Sequence, residues 1–541
     1  MARRKFGLRT PSVMLAAVIA AALALLGGSA SVAASSAKRV AASGPLIVNT
    51  SFPPASIDPS EGLNEGDFII PLATYTTLIR YGTKPGPDGT SQIEYSKFEP
   101  FLAKSWTISS NSEVYTFQLN TNFRFADGTP ITAADVAFSF QREITMNAGG
   151  AYYILDGHYT PLLIKSITTP SPYTVVFTLN VPDSGLLTNW AQPAGAVMEP
   201  SVVDANGGVV ANAVNTWMSS HIAGGGGAYV LSSYEPGVQA TLKANPNYPL
   251  PVKSREVILN FITSPATLGL DAKDGEADIT IGIPNATAHS LSKVPTVKVP
   301  AYAAPESEYF GLNTKTAPGS NLDLRLALRY DTPLKEILSK VAFGYGALFT
   351  GPIIPDMPGF NAALSKSAPY DLAKAKSYMK KSHLHTPVHL TVDLEAGDEA
   401  GAAIGPILQD FWKKIGVDIT LQTLSAPVYV TTTETHKDQA YIRTAGPGVP
   451  TVPYYLGYSA LCGISFNLTQ ICIPKVDTLL KQGGAAPTSK QQPYWNQITR
   501  LIKADAPRVT FYEIYFPIVL SDRVHSYVFS DEFGQMSTWG F

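Results

Sequence analysis

His383, His385 and His389 form an H-x-H-x3-H cluster, the one arrangement in the chain with the look of a metal site. Imidazoles four residues apart share a helix face, as a zinc pair does. Pro387 falls between His385 and His389, and proline breaks a helix interior. The cluster therefore reads as a solvated helix-to-strand connection, and no metal is expected. Neither a G-x-S-x-G nucleophile elbow nor an H-E-x-x-H zinc helix occurs. Ser, His and Asp are abundant, so their order alone leaves a triad open, yet no signature points to bond-making. Gly224-Gly225-Gly226-Gly227 lacks the Lys-Ser/Thr of a phosphate loop and the spacing of a dinucleotide fingerprint, and reads as a turn. No catalysis and no cofactor are expected.

Residues suited to holding a solute are easier to find. Tyr454, Tyr455 and Tyr458 offer a polar aromatic wall that suits peptide side chains and sugar rings alike, and would equally suit a core. Arg443 is the nearest fixed charge; it would face an anionic group or sit in a structural ion pair. Cys462 and Cys472 are the only two cysteines. In an oxidising compartment a disulfide closing their short loop is the natural reading, with two separate buried thiols as the alternative.

These side chains must be positioned by a folded frame, and Phe98 to Arg142 is where that frame is plainest. Tyr115, Phe117 and Leu119 alternate with Val114, Thr116, Gln118 and Asn120, the two-residue period of a half-buried strand. Asp127-Gly128 supplies a tight turn. Thr132 stands as N-cap with Asp135 three residues on, a short capping box, before the apolar helix start Val136, Phe138 and Phe140. Further along, Val388 to Leu394, Ile404 to Lys414 and Val417 to Thr423 read as a βαβ unit with Gly416 as helix stop. Ala445 to Tyr458 is a Gly/Pro/aromatic stretch, and Ala148 to Thr160 reads as a loop rich in Gly and Tyr.

The 541 residues are too many for one ordinary core, and two or three domains are expected. A formal net charge of −2 gives no footprint for nucleic acid. Arg3, Arg4, Lys5 and Arg9 precede an uncharged run, Val13 to Leu26, and small residues follow. This is the pattern of a signal peptide over 1–34, too short for a membrane span, with 35–44 as a flexible leader. Arg3-Arg4-Lys5-Phe6 partly matches a twin-arginine signal, so either export route is open.

The segment from Phe98 carries Leu102-Ala103-Lys104-Ser105-Trp106, then Phe117-Gln118-Leu119, then Phe125 through Val136 in the form F-x-DG-x-P-x-TA-x-DV. This resembles the signature of the solute-binding proteins of ATP-driven (ABC) importers, in the branch that handles oligopeptides, dipeptides and nickel. Ser56-Ile57-Asp58-Pro59, Asn245-Pro246-Asn247-Tyr248, Gly275 to Ile279 and Tyr370 to Ala375 match further family motifs, and the resemblance spans about Pro45 to Phe541. It implies an α/β fold of the two-lobed periplasmic-binding-protein type with an extra inserted domain. Domain I would comprise 45–90, 195–305 and 513–541, domain II 91–194, and domain III 306–512. A peptide or other small solute would bind between domains I and III, and a membrane permease would receive it from a monomeric, extracytoplasmic protein. A local disulfide like Cys462–Cys472 occurs in some dipeptide-binding relatives. Ser29 stands where lipoprotein relatives carry the acylated Cys, so no lipid anchor is expected there.

By motif position the resemblance puts Phe52, Ser56, Glu395, Thr451, Tyr454 and Tyr455 in the cleft. Dipeptide-binding relatives neutralise the ligand's ammonium with an acid near Gly446 to Tyr455, and its carboxylate with an Arg near Leu394 to Ala403. Here no acid lies between Gln439 and Cys462, and no Arg lies in 394–403. An unpaired charge in a closed cleft is costly, so an extended oligopeptide held through its backbone is expected over a zwitterionic dipeptide. An oligosaccharide, a nickel chelate, a sensory role on the same scaffold and a secreted hydrolase are the alternatives.

Overall fold

The computed structural model describes residues 44–62, 65–156, 162–530 and 536–540. The expected signal peptide and nearly all of the expected leader lie outside the described residues. No described helix is long and apolar enough to cross a membrane.

Four sheets order the described residues. Seven strands form the first, with Leu46–Thr50 at its centre, parallel to Glu256–Phe261 on one side and to Ile279–Ile281 on the other. Leu46 and Val48 are fully buried there, as their alternation requires. The second sheet has four antiparallel strands, Ala103–Ile108, Val114–Leu119, Thr174–Leu179 and Ile164–Ser171. On it lies the helix Ala133–Met146, begun by Thr132, whose backbone N–H donates to Asp135 Oδ2 at 2.7 Å. Tyr115, Phe117, Phe140 and Phe177 close around Trp190, all five buried. Each large apolar side chain removed from water contributes roughly 1.5–3 kcal/mol, so this aromatic knot dominates the small sheet's stability. A third, three-stranded sheet adds the hairpin Ile79–Pro85 and Ser91–Pro100, which carries the chain across the boundary expected at 90.

These three sheets make up lobe 1, and lobe 2 is built on the six-stranded sheet. Its βαβ unit is present: Val388–Glu395 and Val417–Leu424 run parallel, joined by the helix Glu399–Trp412. Two long antiparallel strands, Ala301–Leu312 and Arg508–Pro517, connect the lobes. Tyr302 packs in the core of lobe 1 and Phe310 in that of lobe 2; likewise Phe516 joins the first and Phe511 the second. The register shifts between Ala303 and Ser307, so the ladder is broken where the strands pass between cores. The boundaries expected at 305/306 and 512/513 fall inside these strands.

Helices also form in two stretches where the sequence predicts none. Val452–Ser459 is a helix capped by Thr451, whose hydroxyl accepts from the Tyr454 N–H at 3.3 Å, with Pro453 in the first turn. Gly149–Ile154 is a short helix. The glycine run is explained by close approach: the Gly227 N–H donates to Thr74 O at 2.8 Å, and a Cβ on Gly225 would lie 2.1 Å from that carbonyl. His383, His385 and His389 are exposed, and the helix Leu372–Ser382 ends before the first of them.

Candidate functional site

Along Ala301–Leu312, Phe310 and Leu312 point into the core of lobe 2, so Tyr309 and Gly311 face the other way. Tyr309 is paired with Arg443 on the strand Ala440–Ala445, and Gly311 with Tyr441. On the opposite side Gly311 is paired with Arg508. Three strands thus bring two guanidiniums and two phenols to one face. Gly311 permits it: a Cβ there would stand 2.3 Å from the Tyr441 ring.

Arg508 is held in place. Its Nη2 donates to the Pro352 carbonyl at 3.0 Å and its Nη1 to the Tyr455 hydroxyl at 3.2 Å, and the guanidinium stacks 5.2 Å from the Tyr309 ring centroid. Among the described residues the ion-paired arginines are Arg80, Arg142, Arg325 and Arg523. Arg443 and Arg508 are not among them. Burial pushes the Tyr309 hydroxyl up, against the pull of both guanidiniums, so it remains neutral.

The helix Val452–Ser459 supplies the second wall. Tyr455, Tyr458 and Ser459 share its inner face, and the Tyr458 hydroxyl donates to the Gly446 carbonyl at 2.8 Å. Glu306, Thr444, Phe466 and Leu468 complete a cavity of 350 Å³. This lies near the lower end of the size that encloses a small molecule. Glu306 reaches it from the long strand: a Cβ on Gly446 would come within 2.6 Å of Glu306 Cγ. An acid therefore does stand beside Gly446, though none is near it in sequence. Chemically the cavity is a cationic, hydroxyl-rimmed site with one carboxylate at its margin.

Beside the cavity runs a seam with lobe 1. Tyr454 stacks on Tyr153 at 11° and meets Tyr152 edge-on at 5.4 Å. Ser184 Oγ donates to the Ala486 carbonyl at 3.1 Å and accepts from Gln491 Nε2 at 2.8 Å. Lys84 pairs with Asp356 at 2.6 Å.

Of the six residues put forward from motif position, Tyr455 lines the cavity, Thr451 caps its helix and Tyr454 sits on the seam. Phe52 is half-buried against the core of lobe 1. Ser56 is buried and staples its own loop, its Oγ accepting from the Asp58 N–H at 3.1 Å. Glu395 ends its strand outside the cavity. Sequence reasoning missed Glu306, Tyr309, Arg508 and Phe466. Cys462 and Cys472 are joined by a disulfide, and Phe466 and Leu468 belong to the loop it closes.

The fold is matched by comparison with known proteins. The family model described as bacterial extracellular solute-binding proteins, family 5 Middle, matches residues 97–467. The chain is similar to the probable D,D-dipeptide-binding periplasmic protein DdpA of Escherichia coli, 26% identical over 490 residues, covering 90% of this chain and 91% of that protein. It is also similar to the dipeptide-binding protein of Pseudomonas aeruginosa, 25% identical over 510 residues, covering 90% and 92%. Among solved structures, the substrate-binding protein CtaP of Listeria monocytogenes superposes with a TM-score of 0.80 at 20% identity, covering 92% of this chain and 99% of that one. The periplasmic binding protein DppA of Helicobacter pylori, in complex with the peptide STSA, gives 0.73 at 21% identity, covering 92% and 98%. The two-lobed fold of the periplasmic peptide-binding proteins is thereby shown, in a family made of solute-binding proteins and not of enzymes. This chain belongs to the family 5 bacterial extracellular solute-binding proteins.

Proposed function

We propose that this protein is the extracytoplasmic substrate-binding component of an ABC import system, capturing a peptide between its lobes and delivering it to a membrane permease. The observation that carries this reading is the pair Arg443 and Arg508, two guanidiniums without carboxylate partners among the described residues, in a 350 Å³ cavity beside the seam. Guanidiniums recognise carboxylates through charge-assisted hydrogen bonds, and every unmodified peptide ends in one. The relatives named for D,D-dipeptides and dipeptides, and the neighbour solved with STSA, support a peptide.

In this reading 45–90, 195–305 and 513–541 form domain I, 91–194 domain II and 306–512 domain III. The strands Ala301–Leu312 and Arg508–Pro517 act as the hinge. A peptide that touches both lobes binds the closed form better than the open one and so shifts the population toward closed. Tyr455 contacts the ligand, Thr451 sets the helix that carries it, and Tyr454 works at the seam; Phe52, Ser56 and Glu395 lie toward the rest of the chain. Residues 1–34 direct export, and the mature protein acts as a monomer.

An extended oligopeptide would place its carboxylate on the arginines and run its backbone along the seam. Glu306 favours a second reading, a short zwitterionic peptide, since acid and bases share one cavity. Mass spectrometry of small molecules released on denaturing the gently purified protein tests both, because bound solute is retained when affinity is high. Peptides of mixed sequence support the first reading and dipeptides the second. A sugar or a nickel chelate alone would overturn the peptide assignment.

A further inference from the structure

The loop between Cys462 and Cys472 is fixed at its base but presents an uncovered ring at its tip. Asn467 is buried, and its Nδ2 donates to the carbonyls of Leu461 at 3.0 Å and Ile471 at 2.6 Å. The Thr469 carbonyl accepts from the Thr314 N–H and hydroxyl, both at 2.9 Å. Leu468 is 6% exposed and packs with Tyr309, Tyr429 and Tyr441. Phe466, two residues away, is 53% exposed, yet it lines the cavity that holds Arg443 and Arg508. A phenyl ring left half in water forgoes the gain of burial, while a disulfide and a buried amide remove the loop's freedom to bury it within the chain. Fixing an apolar contact before the ligand arrives lowers the ordering cost of binding.

We propose that Phe466 is the apolar half of the ligand site: it covers a bulky apolar side chain next to the carboxylate taken by Arg443 and Arg508. The protein then selects peptides whose C-terminal residue is large and apolar. This deepens the peptide reading above and rests on it. The division of labour is physical. The arginines fix one end of the ligand by charge, and the ring, held beside them on a tied loop, discriminates by the area it covers.

The test is calorimetric titration of the disulfide-intact protein with Ala-Ala-Ala-Phe and with Ala-Ala-Ala-Ala. The wild type should prefer the phenylalanine peptide by about tenfold, a modest apolar discrimination. Phe466→Ala, whose side chain supports no core, should bring the two peptides to about equal affinity, and Phe466→Leu should keep part of the preference. Reducing the disulfide should weaken the preference in the wild type and change nothing in Phe466→Ala. Equal wild-type affinities, or a preference that survives Phe466→Ala, would overturn the assignment of Phe466 while leaving the peptide reading intact. No binding of either peptide would instead overturn the peptide reading, and this inference with it.

Discussion

Arg508 stacks 5.2 Å from the centroid of Tyr309, although it is paired across the sheet not with that residue but with Gly311. Beside this pair the missing Cβ at Gly311 leaves room for Tyr441, whose ring a Cβ there would meet at 2.3 Å. Gly311→Ala should therefore displace Tyr441 from the face it shares with Arg443 and Arg508. Overpacking of this kind costs about 1–3 kcal/mol, to be measured by denaturant unfolding, and ligand affinity should fall with it.

Lobe 1 is tied internally by a buried ion pair. Arg142 and Asp58 are fully buried, with Nη1 donating to Oδ1 at 3.0 Å and Nη2 to Oδ2 at 2.5 Å. Glu143 lies 3.8 Å from Arg142, but burial pushes its carboxyl up to about 8, which leaves Asp58 as the counter-ion. Arg142→Met would strand that carboxylate, and removing one partner of a buried pair costs roughly 3–5 kcal/mol. Chemical denaturation should show the loss, with no direct effect on the distant cavity.

Glu308 and Glu513 sit on the two strands that join the lobes, and burial pushes each up to about 8, from an ordinary value of 4.5. Asp398 adds to the shift of Glu308 and the Thr444 hydroxyl opposes it; the Asp356 N–H donates to Glu513 at 2.9 Å and opposes it there. The folded chain keeps protons that the unfolded chain releases above about 4.5, so these groups' contribution falls as pH rises from there to about 8 and is flat beyond. Thermal unfolding from pH 5 to 9 should show declining stability, on the order of a few kcal/mol over the window. The Glu308→Gln/Glu513→Gln double variant should flatten the slope.

Closure is held partly by contacts that no ligand makes. Ser184→Ala and Lys84→Met each remove one tie across the seam. A neutral hydrogen bond contributes about 0.5–1.5 kcal/mol and an ion pair still partly in water, like Lys84–Asp356, about 0.2–1, and such separated sites add. The double variant should show a larger radius of gyration by solution scattering when free of ligand. Its peptide affinity should fall by roughly three- to seventyfold, because less of the protein is binding-competent. An unchanged radius and affinity would mean that the seam does not govern closure.

What could be read from the sequence follows the range of the interactions. The strand, turn and capped helix from Phe98 to Arg142 are specified by neighbours, and Tyr115, Phe117 and Leu119 are buried as their alternation requires. The βαβ unit after Pro387 is likewise local. The helix Val452–Ser459 was hidden by Pro453, Gly457 and its tyrosines, all poor helix formers, although Thr451 and Pro453 are themselves start signals. The cavity was least legible. Arg443, Glu306 and Arg508 come from three separated strands, and only the pairing register brings them together. An acid was sought among the sequence neighbours of Gly446, whereas Glu306 arrives from across the sheet.

In the proposed site Arg443 and Arg508 hold the carboxylate of a peptide. Calorimetric titration with Ala-Ala-Ala-Phe and with its C-terminal amide tests it most directly, in the wild type and in Arg443→Met. Hydrogen bonds to charged groups contribute about 1.5–3 kcal/mol, so amidation should weaken wild-type binding by roughly ten- to a hundredfold. In Arg443→Met the acid should bind more weakly, and amidation should matter less. Equal affinity for acid and amide in the wild type, or an Arg443→Met protein that still discriminates between them as strongly, would contradict the account.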